Sequence, residues 1–451
     1  MQEVYYTKIN QKGVVYIDSE TKKPIPDKPI IKKFYNTVQY FLTVNYEAEA
    51  KIFFQEKQKN SKINYTDYIS YEWVKKARVK FDECLEFEEF DNEDLYGRLR
   101  TNYAIFLNGC GRYLEALEIL NELLDFHEID FAPAVGVRCK ILLEYSSSGV
   151  IVNEGNRQVL HKHIFQTLIK LMGDEKNVLS IRETCGDNMI NSLNSCVKDI
   201  LNGYGPNSQK FLGEEIPTYT NIWNYDYTNQ FVNECRRLRF SFLNEQIFSS
   251  DCTSHTYDDL NINTTKFKDL KLLSLFNEIK ESYITSRFLI FNSEIAGAHD
   301  TNEINKLSDF FDLKNQLEKS YSLNTGLLKQ GLKASFDNFD KILRLIAHIL
   351  YPEWEDKQLE KITIDNKKLW TGHDGFKAEV VKEDNKYLMA LYDIHLDFIE
   401  GGKYRKLSRM RHASTHYFTD VDYHSSVKTL KLSQSAIFYL LSWMNTRNYD
   451  D

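Results

Sequence analysis

The chain has 451 residues, of which only 7 are proline and 19 are glycine, and its formal net charge at pH 7 is -8. So few prolines and glycines argue against a turn-rich all-β or classical α/β protein, and the 42% hydrophobic content excludes global disorder. The negative charge excludes a global basic field, so any contact with nucleic acid must come from a local basic patch. We therefore expect an all-α protein, and at about 150 residues per domain the length indicates two modules or a repeat array with a cap.

Neither the cysteines nor the apolar runs point to secretion or to a membrane. The 7 cysteines have no CxxC or zinc-like spacing, and a disulfide framework is not expected in a chain of this length. The first residues lack a signal-peptide pattern, and the longest apolar stretch, Ala436 to Met444, is far shorter than the ~20 residues of a membrane span. We expect a cytoplasmic protein without a membrane partner.

The first thirty residues differ from the rest of the chain. Apolar runs at residues 4–6 and 14–17 flank Asn10 and Gly13, a pattern that predicts a short β-hairpin. Three prolines between Pro24 and Pro29 then interrupt regular structure. The sequence therefore predicts an N-terminal hairpin and extension that packs on the first helices.

The most informative part of the helical region that follows is a predicted helix-turn-helix. Small residues, Ala104 and Ala116, flank a turn at residues 111–113, which ends in an aromatic residue. This arrangement resembles a tetratricopeptide (TPR) hairpin, and residues 132–145 resemble the first helix of a following repeat. The resemblance implies an array of helical hairpins that binds a protein partner or senses a trigger, with the number of repeats left open.

The domain boundaries follow from composition. After the hairpin region, 1–30, we predict a TPR-like domain at 31–248 and a polar linker at 249–265. Helical periodicity then resumes, which predicts a helical bundle over 266–451 with an inserted loop at 352–375.

A basic segment in the C-terminal half carries the residues with the clearest chemical potential. It follows a Gly-Gly pair whose backbone N–H groups would add to its attraction for anions. Its five cations lie within nine residues: Lys403, Arg405, Lys406, Arg409 and Arg411. Two histidines, His412 and His416, complete it. Guanidinium groups hold phosphate oxygens and stabilise developing charge, and an imidazole with a pKa near 6.5 transfers protons at neutral pH, so this set suffices for metal-free phosphodiester chemistry.

The segment Arg411-His-Ala-Ser-Thr-His416 resembles the Arg-x4-His signature of the HEPN superfamily of helical RNases and toxins. That signature favours Asn, Asp or His directly after the arginine, and His412 meets the preference. The segment at 336–342 also resembles an early helix of a TPR-linked bacterial HEPN branch. The resemblance covers roughly 265–445. It implies a metal-independent endoribonuclease, acting as a toxin or antiviral defence effector, that cleaves RNA by attack of the ribose 2′-OH and leaves a 2′,3′-cyclic phosphate.

The resemblance assigns roles within the basic segment. It implies that Arg411, His412 and His416 are catalytic, and the positive charge of the remaining cations predicts that they bind RNA: Lys403, Arg405, Lys406 and Arg409. Positions five apart on an ideal helix differ by about 140° around its axis, so Arg411 and His416 do not share a face. Either Arg411 precedes the regular helix, or two protomers pool their motifs. The family is known for the second arrangement, which implies a homodimer with a composite site.

Other interpretations remain open. His412 and His416, with Asp420 or His424, have a spacing compatible with a metal site, although the neighbouring arginines oppose a dication. The basic segment is also compatible with a solvated helix start. No Gly-rich phosphate loop, nucleophile elbow or His-Glu-x2-His metal motif is present, so we expect no cofactor and no metal. The alternative function is a non-catalytic TPR/HEPN scaffold that binds a protein partner or RNA.

Overall fold

The computed structural model describes residues 5–10, 13–18, 65–66, 74, 77–79, 81–82, 93–126, 130–150, 154–205, 208–214, 269–298, 322–365, 367–373, 375–399, 402–416 and 421–447. Over this part of the chain the protein is mostly helical, as predicted. The predicted linker at 249–265 lies outside the described residues, so the boundary placed there stays a prediction.

The two N-terminal strands form the predicted hairpin. β1 (Tyr5–Asn10) pairs antiparallel with β2 (Gly13–Asp18), with Asn10 opposite Gly13 at the closed end. The predicted packing of this hairpin on the first helices falls on residues outside the described part of the chain.

The predicted helix-turn-helix is present between α1 (Glu93–Gly109) and α2 (Tyr113–Asn121). Ala104 and Ala116 are both completely buried, so their small size permits the close approach of the helices. Gly111 has φ +82°, a left-handed conformation that favours glycine, and it forms the turn. The local hairpin is therefore confirmed.

Five further helices follow in the N-terminal half: α3 (Ala132–Ser147), α4 (Glu154–Met172), α5 (Glu175–Cys185), α6 (Asp187–Tyr204) and α7 (Ser208–Gly213). A π-helical turn at 122–126 follows α2, and α3 packs on α1, α4 and α5. An array of TPR-like repeats goes further than the single hairpin described above and stays a prediction.

The C-terminal half is a bundle of long helices with a short insert. The bundle helices are α8 (Leu270–Ala298), α9 (Leu323–Leu350), α12 (Lys386–Phe398), α13 (Arg405–His416) and α14 (Tyr423–Thr446). The insert has its own elements: α10 (Asp356–Leu359), a 3-10 turn at Lys367–Leu369, the strands β3 (Thr371–Gly372) and β4 (Gly375–Phe376), and α11 (Ala378–Glu383). Within the described residues, none of the helices has the length and apolar character needed to cross a bilayer.

Side-chain caps fix where three of these helices begin. The Ser322 hydroxyl accepts the N–H of Thr325 at 3.1 Å at the start of α9. The Asn385 side chain caps α12, and the Asp422 carboxylate accepts the N–H of Ser425 at 2.7 Å at the start of α14. Such caps satisfy N–H groups that have no partner within the helix.

The two halves meet along α14, whose side chains are buried along most of its length. Tyr113 of α2 packs edge-on against Tyr439, with ring centroids 5.2 Å apart, and Tyr145 of α3 packs against Phe438 at 5.8 Å. A Cβ on Gly111 would collide with the carbonyl oxygen of Lys386 at the start of α12. The described helices on both sides of the predicted boundary therefore share one hydrophobic core.

Candidate active site

The whole Arg-x4-His segment lies inside α13. Arg411 is the seventh residue of this helix and His416 is its last. The alternative in which Arg411 precedes the regular helix is therefore wrong. The two positions remain about 140° apart around the axis, as the ideal geometry requires.

One side of α13 is exposed and carries cations. Lys406 and Arg409 are both exposed and lie three residues apart on this side. At about 100° per residue, the position of His416 falls within roughly 20° of that of Arg409, and the position of His412 within roughly 60°. The helix phase thus places both histidine positions in the same sector as an exposed guanidinium.

The position of Arg411 belongs to a different sector. Leu407 and Ser408 are buried, and the position of Arg411 falls between theirs around the axis. That side of α13 faces α9 and α12. Within one protomer, the backbone therefore places Arg411 and His416 on different sides of the helix.

The corner between α12 and α13 depends on Gly402. Its N–H donates to the carbonyl oxygen of Ile399 at 2.9 Å, and the Tyr404 N–H donates to that of Asp397 at 2.7 Å. A Cβ on Gly402 would collide with the carbonyl oxygens of Leu396 and Asp397. The N–H groups of Gly402 and Tyr404 hold the corner together, so the expectation that N–H groups beside the Gly-Gly pair are open to an anion is wrong for these two.

Replacing Gly402 with alanine should destabilise the protein by about 1–3 kcal/mol, because the added methyl group forces the corner apart. Urea unfolding measures the change. Gly326→Ala is the matched control: a Cβ there meets no atom within 4 Å, and alanine is favoured over glycine in a helix by roughly 0.5–1 kcal/mol. Equal stability of Gly402→Ala and the unchanged protein would contradict the geometry of the corner.

Lys403, a predicted RNA-binding residue, contacts the N-terminal half. Its ammonium group pairs with the carboxylate of Asp82, which also accepts the Tyr103 hydroxyl at 2.7 Å. The neighbouring Tyr404 ring lies under the ammonium group of Lys428, 4.8 Å from the ring centroid. A phosphate that binds Lys403 therefore competes with, or adds to, its contact with Asp82.

Beside this corner lies a buried ion-pair cluster formed by Arg78, Arg112, Glu115, Asp393 and Asp397. Arg112 donates to Asp397 at 2.6 Å and to Asp393 at 3.0 Å, and it also pairs with Glu115 at 2.9 Å. Arg78 pairs with the same two aspartates. Burial opposes ionisation of Asp397, but the two guanidinium groups lower its pKa below the usual range. The N-terminal half thus neutralises two carboxylates of α12.

The sequence interpretation missed this cluster. It treated Arg112 only as part of a turn, although a signal was present in α12: Asp393 and Asp397 are four residues apart, on one face of a largely apolar helix. Two carboxylates in that position require cations from elsewhere in the fold.

His395 lies between those aspartates in sequence but takes no part in the cluster. Its Nδ1 is hydrogen-bonded to the Ile364 carbonyl oxygen, which ties the insert to α12. Burial lowers its pKa to about 4, so the ring is neutral at physiological pH. A neutral, fully buried imidazole is not the general acid or base of an exposed site.

A second histidine has neighbours that resemble a nucleophile and its base. His161 Nε2 lies 2.9 Å from Ser146 Oγ, and His161 Nδ1 lies 3.0 Å from the Tyr204 hydroxyl. However, the Ser146 hydroxyl donates its only proton to the Leu143 carbonyl oxygen at 2.7 Å. His161 must then donate to Ser146, so the group joins α3, α4 and α6 rather than activating a nucleophile.

The metal interpretation rests mainly on side chains outside the described part of the chain, those of His412, His416 and Asp420. His424 is exposed near the start of α14. Among the side chains that are described, no group of three His, Cys, Asp or Glu residues has metal-binding geometry. A chelator distinguishes metal-dependent from metal-independent cleavage of RNA.

Comparison with known families identifies part of this region. Residues 263–429 match the family model described as LA2681-like HEPN, and the match includes α8, α9, the insert, α12, α13 and the start of α14. The region agrees with the 265–445 expected from the sequence. No curated protein and no solved structure gave a significant match.

Proposed function

We propose that the C-terminal half, which contains a HEPN domain over residues 263–429, is a metal-independent endoribonuclease. The observation that carries the proposal is α13: one sector of this helix holds an exposed arginine, Arg409, together with the positions of His412 and His416. Phosphate binding and proton transfer are the two functions that RNA cleavage requires, and the residues for both lie in the matched domain.

In the proposed reaction, the ribose 2′-oxygen attacks the adjacent phosphorus and the bond to the 5′-oxygen breaks. His416 or His412 takes the proton from the 2′-OH, and a protonated imidazole gives one to the leaving oxygen. Arg411 stabilises the charge that develops on the phosphate. The products are a 2′,3′-cyclic phosphate and a free 5′-OH.

The proposed enzyme is a homodimer. Within one helix, the positions of Arg411 and His416 diverge by about 140°, and a second protomer supplies the missing partner if the motifs meet across a two-fold axis. Each composite site then contains Arg411 of one protomer and His416 of its partner.

The N-terminal half would bind a protein partner or sense a trigger through its TPR-like helices, and the enzyme would act in the cytoplasm as a toxin or antiviral defence effector. The cluster of Arg78, Arg112, Asp393 and Asp397 supports such a coupling, because it connects the N-terminal half to the helix that precedes α13.

Two observations favour the alternative of a non-catalytic scaffold. Lys403 already pairs with Asp82, and the Arg411 position lies on the packed side of α13. In that case the bundle would bind RNA or a protein partner without cleaving RNA.

The purified protein should cleave mixed single-stranded RNA in the presence of EDTA and leave 2′,3′-cyclic phosphate ends. Gel analysis with and without phosphatase and acid treatment identifies those ends. A 2′-O-methyl RNA of the same sequence is the control and should stay intact, because it lacks the attacking hydroxyl group. Binding to both RNAs without cleavage would instead support the scaffold.

A further inference from the structure

We propose that the 3-10 turn of the insert at Lys367–Leu369 is a second side of the RNA site, on which Lys367 contacts a phosphate of the bound strand. This inference rests on the proposed function, since it extends the binding surface of α13. Single-stranded RNA backbone is the ligand.

The insert is held firmly at this point. The Ser408 hydroxyl of α13 donates to the Asp365 carboxylate at 2.8 Å. One residue earlier, the Ile364 N–H donates to Asp340 of α9 at 2.8 Å, and the Ile364 carbonyl oxygen contacts His395 of α12. Three helices of the bundle thus anchor the chain immediately before the turn.

The anchor lies next to the histidine sector of α13. Ser408 is four residues before His412, so the two positions are neighbours on the helix surface, about 6 Å apart. Lys367 follows Asp365 by two residues, which places its Cα within about 7 Å of that of Asp365. A strand that passes the His412 position can therefore bring a neighbouring phosphate of the same strand within reach of the flexible Lys367 side chain.

Exposed cations lie on both elements that the Ser408–Asp365 hydrogen bond joins, the turn of the insert and α13. Lys367 is exposed on the turn, while Lys406 and Arg409 are exposed on α13. The Asp365 carboxylate, the acidic group nearest in sequence, already accepts from Ser408. The turn and the helix therefore present cations to a strand that passes between them, and this charge distribution suits a chain of phosphates.

The test is a salt titration of RNA binding with the full-length chain. Fluorescence anisotropy with a labelled 2′-O-methyl single-stranded RNA gives the affinity without cleavage. Loss of one phosphate contact should reduce the slope of log K against log salt by about 0.7. We expect this reduction for Lys367→Ala, and about twice as much for Lys367→Ala combined with Arg409→Ala, because both residues would contact one strand.

Three controls decide the outcome. Lys198→Ala, on an exposed face of α6, should leave the slope unchanged, and Lys367→Arg should preserve it because the charge is kept. Thermal unfolding followed by circular dichroism checks that the variants fold. If the unchanged protein binds this RNA and Lys367→Ala behaves like Lys198→Ala, the assignment of Lys367 to the RNA site is overturned. If the unchanged protein binds no RNA, the proposed function itself fails.

Discussion

Replacing His416 with alanine should reduce the rate of RNA cleavage about 10²–10⁴-fold, because a general acid–base group contributes that factor to the rate. Arg411→Ala should have an effect of about 10²–10³, since a donor that stabilises transition-state charge contributes on this scale. Arg411→Lys should be nearly as damaging, because an ammonium group cannot reproduce the two-pronged guanidinium geometry. Single-turnover cleavage of a labelled RNA measures each rate.

Lys198→Ala is the matched control for these variants and should cleave at the unchanged rate. Circular dichroism should show that all variants keep their helical content. Retained cleavage in His416→Ala contradicts the assignment. Activity that disappears with a chelator and returns with zinc would instead support the metal site formed by His412 and His416 with Asp420 or His424.

Mixing the two inactive variants tests the dimer directly. If each site combines Arg411 of one protomer with His416 of its partner, a mixed dimer contains one intact site and one doubly altered site. With random exchange of protomers, the mixture should recover about a quarter of the original activity. Recovery of none, with exchange of protomers verified by differently tagged copies, would show that the site does not pool residues in this way.

Replacing Arg112 with methionine should destabilise the protein by about 3–5 kcal/mol, because Asp393 and Asp397 would stay buried with only Arg78 to compensate them. Urea unfolding measures the loss. Arg182→Met, which removes an exposed pair with Asp187, should cost only about 0–1 kcal/mol and serves as the control.

The acid sensitivity of the cluster follows from the sign of the Asp397 shift. Folding lowers the pKa of this carboxyl. Its contribution to the free energy of unfolding is therefore fully present above the unfolded pKa of about 3.9 and is lost as the pH falls through the lower folded value.

Combining Arg112→Met with Asp397→Asn should lower the free energy of unfolding by less than the sum of the two single changes, because the second change removes a carboxylate that the first leaves without a cation. A loss below about 1 kcal/mol for Arg112→Met would contradict its role.

Local sequence patterns predicted the helices well, but they did not predict the ion pairs between residues that are distant in the sequence. The small residues Ala104 and Ala116, with Gly111 between them, predicted the first helical hairpin because such packing depends on neighbours close in sequence. Nothing local links Arg112 to Asp397, which are 285 residues apart in the chain. The pairing of Lys403 with Asp82 was missed for the same reason, and Lys403 was assigned to RNA on its charge alone.

The candidate site was likewise predicted only in part, because some of its contacts depend on long-range packing. The basic segment, its histidines and its helical setting follow from residues 401–416, which lie within the range that matches the family model. The 140° separation of the Arg411 and His416 positions also followed from their spacing. Only the structure shows which side of α13 packs on the bundle and that Ser408 is buried there. The anchoring of the insert by Asp365 was not visible in the sequence, because it depends on how three helices and a loop converge.

The position of α14 has a consequence for how the protein is made. Tyr113 and Tyr145 of the N-terminal half pack against Tyr439 and Phe438, which the ribosome adds about 300 residues later. At 5–20 residues per second, roughly 15–60 s of synthesis separate the two surfaces. During that interval α2 and α3 lack one side of their core. The N-terminal half therefore completes its packing only after α13 has been made, so the two halves of a nascent chain would reach their final packing together rather than in succession.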